Sequence, residues 1–158
     1  MPDAKIYASS FACERVLRDY ENDKILSAIR MLDVFIFAVP ENIPANEQAS
    51  AVMESLMLTL FKCEVPVTFT VKLVCIDPNG DPIAQSGAET YRISLLGGAS
   101  GHQLISPLRI TASHAGVYWM EVYADDQVVS RIPLEARFEK MQTTLSESAS
   151  KSDSASQP

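Results

Sequence analysis

Hydrophobic and polar residues alternate over most of the first 140 positions. The clearest run spans residues 67–76. Val67, Phe69, Val71, Leu73 and Cys75 share one parity, and Thr68, Thr70 and Lys72 the other. A period of two puts successive side chains on opposite faces of a strand, and β-branched residues favour that backbone. Asp77-Pro78-Asn79-Gly80-Asp81 follows, and Asn-Gly tolerates the positive φ angles of a tight turn. A returning strand is expected over 82–86.

A second alternating run covers 91–96, after which Gly97-Gly98 and Ser100-Gly101 mark a loop. A third sets Leu104, Leu108 and Ile110 on one face. Pro107 lies inside it and predicts an edge strand or a bulge, because proline donates no ladder hydrogen bond. The last hairpin joins 116–123 to 128–138 through Asp125-Asp126. On its first strand Tyr118, Met120, Val122 and Ala124 share one parity, and Val117, Trp119, Glu121 and Tyr123 the other. On its second, Ile132, Leu134, Ala136 and Phe138 oppose Arg131, Pro133, Glu135 and Arg137.

The first third reads as a strand over 5–11, a polar turn over 19–24, one long, largely buried strand over 25–38, and a loop over 40–46. Residues 47–62 fit two periods. Val52, Leu56 and Leu60 have helical spacing, while Leu56, Leu58 and Leu60 have strand spacing. Thr59 and Phe61 favour a strand from Glu54, with a short helical turn over 47–53 as the alternative for its start. About eight short strands with turns between them predict an all-β, two-sheet antiparallel, immunoglobulin-like sandwich. A closed barrel is the alternative.

Composition divides the chain. Beyond Met141, Leu145 is the one large apolar side chain, and serines occupy 146, 148, 150, 152, 154 and 156. Burial there cannot offset the entropy of ordering. The expectation is a folded domain over 1–141 and a disordered Ser-rich tail over 142–158. A net charge of −7, from 20 acidic and 13 basic residues, repels phosphate backbones. It speaks against nucleic-acid binding. The most apolar stretch, 25–39, contains Arg30 and Asp33 and is too short to span a bilayer. No basic, then apolar, leader opens the chain. A soluble, cytoplasmic protein without membrane partners is expected. Cys13, Cys63 and Cys75 are odd in number and form no C-x-x-C pair, which fits reduced thiols packing as small apolar groups.

Candidate chemistry is sparse. His102 and His114 sit in loops, and no G-x-S-x-G elbow accompanies them. Residues 97–102, GGASGH, lack the Lys-Ser/Thr ending of a phosphate-binding loop. Asp77/Asp81 and Asp125/Asp126 suit calcium, but they suit turns equally well. No catalytic residue, cofactor or metal site is expected, and the chain does not read as an enzyme. The feature that remains is aromatic. Glu121 should face water, so Trp119 and Tyr123 should too, with Arg131 and Arg137 outward across the hairpin. Trp, Tyr and Arg dominate interface hot spots. The competing reading is that the parity is reversed, or that the arginines simply cover the rings. The first expectation is a non-enzymatic interaction module with a protein partner or a homodimer. A small-ligand or carbohydrate-binding sandwich is the alternative, and a hydrolase the remote one.

Several motifs also suggest kinship. They are Asn22-Asp23-Lys24 before ILSAIRMLDVF, the loop VPENIP, Asp77-Pro78-Asn79-Gly80, and the ending AGVYWMEVYADDQVVSRIPLEA. Over residues 4–138 the chain resembles a family of small bacterial single-domain β-sandwich proteins of unknown function. Gly116-x-Tyr118 is similar to the segment of immunoglobulin-like domains in which a tyrosine makes a corner bond. The resemblance implies a sandwich and carries no catalytic residues or substrate.

Overall fold

The computed structural model describes residues 5–22, 25–40, 49–83, 90–98 and 101–140. The described chain is all-β. It forms β1 (Ile6–Arg18), β2 (Leu26–Leu32), β3 (Val34–Val39), β4 (Ala51–Cys63), β5 (Val67–Ile76), β6 (Pro82–Ile83), β7 (Tyr91–Leu95), β8 (Gly101–Ala112), β9 (Gly116–Ala124) and β10 (Gln127–Lys140). These ten strands make two sheets. One has the order β2-β1-β4-β8. The other has the order β3-β10-β9-β5-β6, with β7 also paired to β5. The expected two-sheet sandwich is present, with ten strands where about eight were expected.

The inner faces follow the period of two. Phe69, Val71, Leu73 and Cys75 of β5 meet Tyr118, Met120, Val122 and Ala124 of β9 in one buried layer. Met53, Met57 and Phe61 of β4, with Leu104, Leu108 and Ile110 of β8, form the opposing layer. The Phe61 and Phe69 rings, one from each sheet, lie 5.5 Å apart. Truncating such a phenylalanine to alanine costs about 3–5 kcal/mol. All three cysteines are buried free thiols. Burial, and then the nearby Asp77 carboxylate, pushes the Cys75 thiol up to about 12.

Residues 25–38 depart from the expected single, largely buried strand. The chain breaks at Asp33 into β2 and β3, which belong to different sheets. Leu32 lies opposite Ala12 in the first sheet, and Phe35 opposite Ala136 in the second. Arg30 takes a positive φ of 51°, which bends β2. The Asp33 carbonyl then accepts the Glu135 N–H at 2.7 Å and ties the crossover to β10. Only part of this segment is buried: Met31 is 70% exposed. β3 runs parallel to β10, so the sandwich is not wholly antiparallel.

Other boundaries shift less. β1 continues past Phe11 to Arg18 and ends where the Asp19 carboxylate accepts the N–H groups of Glu21 and Asn22. β4 is already strand at Ala51, which removes the helical alternative for residues 51–53. Pro107 sits on β8, an edge strand, as expected. The returning strand at 82–86 is described only over Pro82–Ile83. Residues 84–89, 41–48 and the proposed tail 142–158 lie outside the described residues. No helix among the described residues is long and apolar enough to cross a membrane.

The corner before β9 is fixed by one phenol. The Tyr118 hydroxyl accepts the N–H groups of Ser113 and His114, each at 3.2 Å, and donates to the His114 carbonyl at 3.0 Å. Tyr118 is 1% exposed, so these bonds stand in for the water it has lost. This is the tyrosine corner anticipated from Gly116-x-Tyr118.

Candidate interaction surface

The outer face of the second sheet carries the aromatic set. Pairing puts Trp119 between Ile76 of β5 and Pro133 of β10, and Glu121 between Val74 and Arg131. Trp119 and Tyr123 point outward and are half-buried. The Arg131 guanidinium lies over the Trp119 ring, 4.2 Å from its centroid. Its Nε also lies 3.2 Å from Glu121 Oε1. Tyr123 donates its hydroxyl to Glu121 Oε2 at 2.9 Å. That hydrogen bond, with burial and the Glu121 charge behind it, holds the Tyr123 phenol above its ordinary range. Trp119, Arg131, Glu121 and Tyr123 thus form one closed network.

Arg137 stands apart from that network. It binds Glu135 in a fork at 2.8 and 2.9 Å, which lowers the Glu135 carboxyl. Of the four residues singled out in the sequence, three come together and one does not. The arrangement also bears on ligand chemistry. A sugar stacks on the face of an aromatic ring, and Arg131 already occupies a face of Trp119.

The outer face of the first sheet was not anticipated. Phe11 of β1, Leu58 of β4 and Ile105 of β8 lie directly opposite one another in register. They form an apolar row across three strands on the side away from the core. Cys13 pairs with Leu56 and with Met31 and extends the row into a patch. Leu58 and Cys13 are 3% and 0% exposed, although neither belongs to the inter-sheet core. Leu60, Met31 and Ile29 of the same face are exposed. A signal existed in the sequence. The stretch Leu56 to Phe61 is apolar at every position but Thr59, which marks a strand covered on both faces.

Where β2 turns into β3, a cleft of about 230 Å³ opens beside Phe11, Met31, Asp33 and Pro133. The acidic loops serve as turns. The Asp77 carboxylate accepts the N–H groups of Asn79 and Asp81, which lowers its own pKa. The Asp125 carboxylate accepts the Thr70 N–H at 2.9 Å, and the Asp125 N–H donates to the Thr70 carbonyl at 2.7 Å. Ser113 Oγ lies 2.9 Å from His114 Nδ1. Among the described residues no group of three or more His, Cys, Asp or Glu side chains is placed to hold a metal ion.

No family model matches the chain, and no curated protein does. The kinship suggested above therefore rests on its motifs alone. Among solved structures the chain is similar to a β-glucosidase from Listeria innocua, at 6% identity and a TM-score of 0.47. The match covers 89% of this chain and 17% of that one, so this chain spans about a sixth of the enzyme's length. It is also similar to the CARDB domain of a Pyrococcus furiosus protein solved with di-metal ions. That match has 12% identity and a TM-score of 0.43, covering 86% and 96% of the two chains.

Proposed function

We propose that this protein is a non-enzymatic, cytoplasmic β-sandwich that works by protein association. One observation carries the reading: the sheet face turned away from the core is apolar at Phe11, Leu56, Leu58, Leu60 and Ile105. A one-sided antiparallel sheet normally gives that face polar side chains, because it meets water. Where that face is open, the exposed side chains include Leu60, Met31 and Ile29, and apolar surface of this kind marks an association site. The Trp119 face offers less, since Arg131 and Glu121 already complete its contacts.

A photo-crosslinking amino acid at Leu60, compared with one at the exposed Arg92 of β7, tests the reading. In cells, the probe at position 60 should give a discrete protein adduct and the probe at position 92 none. Absence of an adduct at position 60 contradicts an association role for this face.

A further inference from the structure

We infer that the occupant of this face is a second copy of the chain, packed face to face about a twofold axis over the Phe11–Leu58–Ile105 row. The inference rests on the association reading and goes further by naming the partner and its orientation.

The outward positions of β4 are Val52, Glu54, Leu56, Leu58, Leu60 and Lys62, and within them Glu54 and Lys62 stand at equal distances from Leu58. Isologous twofold interfaces require a surface complementary to itself. A twofold axis lying between the sheets and perpendicular to β4 reverses the strand. It sets the half-buried Leu56 against the partner's exposed Leu60 on either side of Leu58, which is 3% exposed and lies beneath the contact. The same rotation sets Glu54 against the partner's Lys62. An axis along β4 would instead put Glu54 against the partner's Glu54, which like-charge repulsion opposes.

Neither charged group is firmly held elsewhere. Glu54 contacts Arg109 at 3.2 Å, but each side chain is 66% exposed and such a pair is weakly held. Lys62 is exposed and makes no ion pair among the described residues. These long side chains can also span the offset that sheet twist adds away from the axis.

Area agrees. Under this rotation β1, β4 and β8, of 13, 13 and 12 residues, overlie their partners, and at ~4.8 Å spacing and ~3.3 Å per residue they give a face of about 600 Å². Doubled, that reaches the lower end of the range for specific interfaces.

Sedimentation equilibrium of the full chain tests the proposal with two variants. The natural chain should fit a monomer–dimer equilibrium. Lys62→Glu places acid against acid twice per dimer and should weaken dimerisation about tenfold or more. The double variant Glu54→Lys with Lys62→Glu restores opposite charges in exchanged positions and should recover most of the affinity. A monomer at all concentrations overturns the proposal, as does a dimer indifferent to Lys62→Glu or a double variant no tighter than the single one. A position-60 adduct with a different protein overturns it too, while leaving the association reading standing. No adduct at all removes both.

Discussion

The Arg131 guanidinium lies 4.2 Å from the centroid of the Trp119 ring and turns its Nε towards Glu121. The ring is therefore half covered by its own chain, and its loss is felt as stability. Trp119→Ala should cost about 1–2 kcal/mol, from cross-strand packing and the cation–π contact. A core tryptophan would cost about 3–5 kcal/mol. Combined with Arg131→Ala in a double-mutant cycle, it should show a coupling of about 0.5–1 kcal/mol. Urea denaturation reads both, and a coupling near zero contradicts the network.

Tyr118 is the stronger lesion for a smaller change. Removing its hydroxyl deprives Ser113 and His114 of an acceptor and the His114 carbonyl of a donor. Tyr118→Phe should destabilise by about 1–3 kcal/mol, the range for leaving buried polar groups unmatched. A loss within about 0.5 kcal/mol, the level of an ordinary surface change, would show that the corner is dispensable.

Cys75 should stay unmodified by thiol reagents in the native chain and react after denaturation, because it is fully buried and its thiol is pushed up to about 12. The same shift gives a pH dependence. From its ordinary value of 9.0 upward, the unfolded chain releases a proton that the folded chain keeps. The contribution to stability is whole below pH 9 and is lost as pH rises towards 12. The raised Tyr123 phenol acts in the same direction at still alkaline pH. Urea midpoints measured from pH 8 to pH 11 should fall, and Cys75→Ala should flatten the fall. Midpoints that rise over this range contradict the assignment.

The elements legible in the sequence were those with one wet and one dry face. β5 and β9 alternate cleanly, so their buried parity and, to within a residue, their limits followed from that alternation and the turn residues beside it. The outward placement of Trp119 and Tyr123 followed from the same parity. The break at Asp33 was hidden, because apolar residues continue on both sides while the chain changes sheets. Arg30 also takes its positive φ without a glycine to announce it. The first-sheet face was hidden for a related reason. A period-two argument assigns one face to water, and the stretch Leu56 to Phe61 offers no such face. The clash between helical and strand spacing at Leu56, Leu58 and Leu60 was itself the trace of a strand apolar on both sides.

Met31 reports on the covering of the apolar face, since it stands 70% exposed there and methionine oxidises readily. Hydroxyl-radical footprinting would compare Met31 with the fully exposed Tyr20, in intact cells and in dilute purified chain. The Met31-to-Tyr20 ratio of modification should fall several-fold in cells, where the face is covered. An unchanged ratio would mean that the face stays open to water and that association through it does not occur.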